Sequence, residues 1–204
     1  MGEATMKEIV VPHDLSRGPL SAVRRMLVHS SIAELGVLGV YDRYCENIQR
    51  VSLDRIKELI GPGWMPVELA LDHYTACDKL QLSDDAVFQM GVRAGDKTGS
   101  ALLVAGAQPR VETKDRAPWP LLQAFARMGR RIYDGASAQY AKIGPNTLLI
   151  EYVGNPLFAY HYYRVAHRGF MHQAFRALSV EVHDVSFSPY QAEKAAIDVR
   201  IVFR

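Results

Sequence analysis

The chain has 204 residues, with a hydrophobic share of 49%, a charged share of 23% and a net charge of +2. These values fit a single domain, or a domain with a helical extension, and leave ample apolar material for a core. Basic residues are interleaved with acidic ones, which excludes a nucleic-acid-binding stripe.

The two cysteines, Cys45 and Cys77, lie far apart without motif spacing; this argues against a disulfide framework and for a reducing, cytoplasmic setting. The opening Met1–Met6 has neither a signal pattern nor a myristoylation pattern. The longest apolar run, Ala101–Ala107, is far short of the roughly 20 residues of a membrane span.

In chain order, Glu8–Pro12 reads as a short strand or an extended arm. From Pro19 to about Leu35, apolar residues at Leu20, Val23, Met26, Leu27 and Ile32 have helical spacing. A helix over Tyr41–Ile48 follows, and then a short one in which Ser52 is the expected cap and Leu53, Ile56, Leu59 and Ile60 the apolar face. Gly61-Pro62-Gly63 stops it. Trp64-Met65-Pro66 opens a helix to Leu80, with Pro66 in its first turn, and His73 falls on its apolar face beside Ala70, Ala76, Cys77 and Leu80. Ser83 is the N-cap of the next helix, which runs to about Val104, with Asp84 and Asp85 at the positive end of its dipole. A charged loop over Val111–Arg116 precedes a helix from Leu121 to about Asp134, carrying Leu122, Phe125, Met128 and Ile132.

Residues 137–204 read as strand, strand, helix, strand, strand. The first pair turns at Gly144-Pro145-Asn146, and Thr147–Val153 places Leu148, Ile150 and Tyr152 on one face. Asn155-Pro156 announces a helix to Leu178. Val180–Phe187 changes phase at His183-Asp184, which predicts a bulge. In the last strand Ile197, Val199, Ile201 and Phe203 share a face. Helices before residue 136 and an antiparallel sheet unit after it define one α+β domain over 1–204.

Little in the sequence spells out a chemistry. Gly91, Gly95 and Gly99 recur every four residues on one helix, and glycine costs about 1 kcal/mol there relative to alanine. Close packing of another element against the bare face is the favoured explanation; a ligand lying across it is the sharper one. His161 and His172 return to nearly the same side of their helix but lie about 16 Å apart along its axis, too far to share a metal. His73 is the best lone candidate for a haem ligand or general base, with His161 and His172 as further acid/base candidates if the chain is an enzyme. Around Tyr160-His161-Tyr162-Tyr163-Arg164, the side chains of Phe158, Tyr162 and Val165 are expected to pack on the sheet, while Tyr163 and Arg164 face solvent or a partner. No nucleophile elbow, phosphate loop, zinc motif or Cys-x-x-Cys occurs. No catalytic residue and no metal ligand is assigned.

The element order resembles that shared by haem–nitric-oxide-binding domains, vinyl-reductase-type ligand-binding domains and Bet3-like subunits of vesicle-tethering particles. More locally, Gly18–Arg25, Trp64-Met65-Pro66 with Ala76, Leu80 and Leu82, Gly91, Gly129–Tyr133, Gly154-Asn155-Pro156 and Arg168-Gly169 resemble a paralogous family of myxobacteria. These resemblances imply a fold and no catalytic residues. The haem-binding branch carries a Tyr-x-Ser-x-Arg motif that is missing here, and the helix Asp84–Val104 has no histidine, which disfavours haem. The expectation is therefore a non-enzymatic, regulatory, sensor-like module that binds a small hydrophobic ligand or a protein partner. His73, Gly91, Gly95, Gly99 and Tyr162 are its candidate contacts, where the sheet meets the glycine-striped helix. The alternatives are a homodimeric scaffold acting through Leu157–Arg164 and a haem-binding sensor.

Overall fold

The computed structural model describes residues 7–104, 119–177 and 179–204, and the charged loop expected over Val111–Arg116 lies outside them. Strand β1 (Glu8–Val11) and the short strand β2 (Ala22–Arg24) come first. Helices α1 (Arg25–Val37), α2 (Tyr41–Asn47) and α3 (Arg50–Glu58) follow. Strand β3 (Trp64–Pro66) leads into α4 (Val67–Lys79) and the long α5 (Asp84–Val104). After a single 3₁₀ turn at Trp119–Leu121 come α6 (Leu122–Ile132), β4 (Tyr133–Asp134), β5 (Ser137–Gly144) and β6 (Thr147–Val153). A 3₁₀ turn at Pro156–Ala159, helix α7 (His161–Ala177), β7 (Val182–Phe187) and β8 (Ile197–Phe203) complete the chain.

The main sheet is five-stranded, in the order β1-β5-β6-β8-β7, and every neighbouring pair in it is antiparallel. Its alternation follows from period-2 side-chain placement. Leu148, Ile150 and Tyr152 of β6 are buried, as are Ile197, Val199, Ile201 and Phe203 of β8. Each such aliphatic side chain contributes about 1.5–3 kcal/mol by leaving water. The expected slip in β7 is present, for the register with β8 shifts between Val182 and Asp184. Fold class and helix-then-sheet order are as the sequence implies, except that β1 reaches across from the N-terminal part to pair with β5.

A second, three-stranded sheet, ordered β3-β2-β4, was not expected. It replaces the first turns of two expected helices. Ala22–Arg24 is extended because its backbone pairs with Trp64–Pro66 on one side and Tyr133–Asp134 on the other, and α1 begins only at Arg25. Trp64 stands in a strand, its ring beneath the Arg24 guanidinium at 4.1 Å. Ser52 does not cap α3; it lies inside the helix, and its hydroxyl donates to Asp72 Oδ2 at 2.5 Å.

Three glycines place α5 against α7. A Cβ on Gly91 would stand 1.9 Å from the Ala166 carbonyl oxygen, and one on Gly95 2.6 Å from that of Phe170. From the other side, a Cβ on Gly169 would stand 2.1 Å from the Phe88 carbonyl oxygen. The two backbones touch, which only glycine permits, and this offsets the propensity cost. Gly99 continues the same helix, but its surroundings lie outside the described residues.

Gly135 and Gly154 adopt φ values of +89° and +76°. They turn the chain at the ends of β4 and β6, where Leu20 N–H donates to the Gly154 carbonyl and Ala136 N–H to that of Gly18. The segment from Arg17 to Ser21 is thereby lodged against the corner of the main sheet.

Candidate functional site

Between helices α1, α4, α5, α6 and α7 and strands β4 and β5 lies a cavity of about 170 Å³. Its lining is sulfur-rich and aromatic. Four of the chain's seven methionines stand on it, Met26, Met90, Met128 and Met171. So do five of its ten tyrosines, Tyr74, Tyr133, Tyr140, Tyr162 and Tyr163. Methionine's flexible thioether adapts to irregular apolar shapes, and tyrosine adds a rigid ring with one polar tip. An engineered apolar cavity of roughly 150 Å³ accepts benzene, so the space is of the size of a single small ring.

Two hydrogen-bonded groups give the wall polarity. On one side, Ser31 Oγ and Tyr162 Oη are 2.8 Å apart. Ser31 Oγ is also 3.0 Å from His73 Nε2, while His73 Nδ1 is 3.0 Å from Tyr44 Oη. On the other side, Tyr133 Oη and Tyr163 Oη are 2.5 Å apart. Burial raises Tyr133 to about 12 and pushes Tyr44, Tyr162 and Tyr163 well above the usual phenol range, so these hydroxyls stay neutral.

Among the residues marked out by the sequence, Gly91 and Tyr162 line the cavity. Gly95 packs against α7, and His73 is fully buried behind the wall. Burial drives the His73 imidazole down to about 3. The same cause takes His167, which lines the cavity, to about 4. His161 is exposed, 2.7 Å from Asp84 Oδ1. Tyr163 does not face solvent or a partner; it is 4% exposed, and its ring packs on Phe158 at a centroid distance of 5.1 Å. Tyr162 points at Ser31 and Met90 rather than at the sheet. The aromatic stretch on which homodimerisation rested is thus largely interior.

Sequence reasoning missed most of the wall because it is assembled from separated elements. The one compositional sign was the number of methionines and tyrosines.

Among the described residues, no group of three His, Cys, Asp or Glu side chains could hold a metal ion, and no helix is long and apolar enough to cross a membrane.

These features define an α+β module with a small, partly open cavity among its helices and beside the sheet. The same fold recurs in haem–nitric-oxide-binding (H-NOX) structures. The Fe(II) unliganded H-NOX protein from K. algicida aligns at TM-score 0.62 and 10% identity, covering 89% of this chain and 96% of that one. A mutant Cs H-NOX aligns at TM-score 0.57 and 13% identity, covering 89% and 96%. A mutant H-NOX from T. tengcongensis aligns at 0.55 and 14%, covering 88% and 96%. No family model and no curated protein matches the chain.

The residues present do not fit haem. The cavity is well below the roughly 300–1,000 Å³ of pockets that hold drug-sized ligands, and a porphyrin is at least drug-sized. His73 has both ring nitrogens engaged and does not line the space. The His167 ring lies against Tyr163 and Phe170 at 5.8 and 6.0 Å, and its Nε2 is 3.4 Å from Tyr152 Oη.

Proposed function

We propose that this protein is a sensor-like binding module that takes a small apolar or aromatic molecule, not haem, into the cavity between α1, α5, α6 and α7. The observation that carries this reading is the cavity itself: benzene-sized, walled by methionine and aromatic side chains, with hydroxyl pairs at two places on the wall. Apolar walls with a few placed polar groups are the usual make-up of a small-molecule site. The likeness in fold to H-NOX sensors supports a regulatory role.

The test is thermal denaturation of the full chain with and without benzene and indole, together with native mass spectrometry of the protein as purified. At a ligand concentration of about one hundred times Kd, binding to the folded state adds about 2.7 kcal/mol. For a chain of this size that is a rise in Tm of about 5–10 °C. A flat visible absorption spectrum is expected. No retained mass and no shift with either compound would overturn the proposal, and a Soret band would overturn the exclusion of haem.

A further inference from the structure

A second cavity, of about 60 Å³, adjoins the first. A single water needs roughly 10–15 Å³ on this scale, so the space suits a compact polar group. The two cavities share Gly129, Tyr133 and Tyr140 as wall residues. Gly129 lies inside α6, and a Cβ built there meets no atom within 4 Å. Packing therefore does not require glycine at this position, in contrast to Gly91 and Gly95. What the missing side chain does is leave the wall common to the two spaces bare.

The smaller cavity is cationic. Arg17 and Arg130 both line it. The Arg17 guanidinium donates through Nη2 to the carbonyls of Tyr133 and, at 3.0 Å, Gly135. Its Nε is buried and has no hydrogen-bond partner among the described residues. A buried N–H on a cation is expensive to leave unpaired. Asp14 is the acid among the lining residues, but it is occupied by Ser16, accepting from its backbone N at 3.3 Å and from its Oγ at 2.5 Å. It offsets one of the two positive charges and leaves the other.

We infer that the ligand is a small amphiphilic monoanion, a medium-chain or aromatic carboxylic acid, whose carboxylate is held by the Arg17 and Arg130 guanidiniums at the smaller cavity while its apolar body passes Gly129 into the larger one. This rests on the binding function proposed above and adds the ligand's charge and polarity. Two guanidiniums beside one acid leave a single net positive charge, which suits one negative charge better than a phosphate.

The experiment is calorimetric titration of the full chain with sodium octanoate and with 1-octanol at mildly alkaline pH, where the acid is ionised. Octanoate is expected to bind at least about tenfold tighter than octanol. Arg17→Gln should erase that preference while leaving octanol affinity within about twofold, and Gly129→Leu, which puts bulk on the shared wall, should weaken octanoate. Octanol binding as tightly as octanoate, or a preference that survives Arg17→Gln, overturns the inference but leaves the binding function standing. Failure of both probes together with indole overturns both. If Arg17→Gln does not fold by circular dichroism, Gly129→Leu decides, and undiminished octanoate binding there overturns the inference.

Discussion

His73 and His167 are both nine-tenths or more buried, and burial holds their imidazoles neutral at about 3 and about 4 against an ordinary value of 6.5. Each protonates in the unfolded chain well before it does in the folded one. Their contribution to stability is complete above pH 6.5 and is lost as pH falls from there toward 4. Each histidine in that window removes about 1.4 kcal/mol per pH unit. The urea midpoint is accordingly expected to fall steeply between pH 6.5 and 4, and His167→Phe should flatten part of the slope; a midpoint that stays level across the window would contradict the burial argument. In sequence, His73 looks like a ligand because it is a lone polar residue on an apolar helical face. What the sequence does not disclose is that Tyr44 and Ser31, from two other helices, stand at its two ring nitrogens.

The glycines of the helices separate into two kinds at the scale of elements. Gly91 in α5 and Gly169 in α7 sit where backbone meets backbone, and any side chain collides with a carbonyl that cannot move aside. Gly91→Ala or Gly169→Ala is expected to cost about 3 kcal/mol or more by overpacking, read from urea denaturation. Gly36 in α1 is the opposite case: a Cβ added there would meet nothing within 4 Å, and its backbone is ordinary helix. Gly36→Ala should gain about 0.5–1 kcal/mol. Periodicity revealed the stripe on α5, and α7 with its Asn155-Pro156 start, because both are local patterns. Asn155 Oδ1 indeed accepts from Leu157 N–H at 3.1 Å, although the chain first makes a 3₁₀ turn before α7 begins at His161. Gly169, the partner in the crossing, carries no periodic signal, so sequence alone could not say which helix met the stripe.

For the whole molecule, alternation in β6 and β8, the β5–β6 turn and the β7 bulge were legible because a sheet with one buried face writes its register into every second residue. The small β3-β2-β4 sheet was not legible, since two of its strands are three residues long and the third is two. Such pieces are too brief to show a period, and they form only because distant segments supply the backbone partners. The cavity was illegible for the same reason, as its wall is drawn from five helices and two strands far apart in sequence. The crossing of α5 and α7 has a mechanical consequence. With carbonyls seated in glycine notches on both sides, the pair cannot slide or roll without breaking its fit, so it behaves as one stiff lever arm. Pressure from an occupant must then be relieved by α1 and α6, the opposite jaws of the clamp. Amide hydrogen exchange with and without indole should show the change in protection in α1 and α6 and little in the crossing of α5 with α7; the reverse pattern would mean that the lever itself yields.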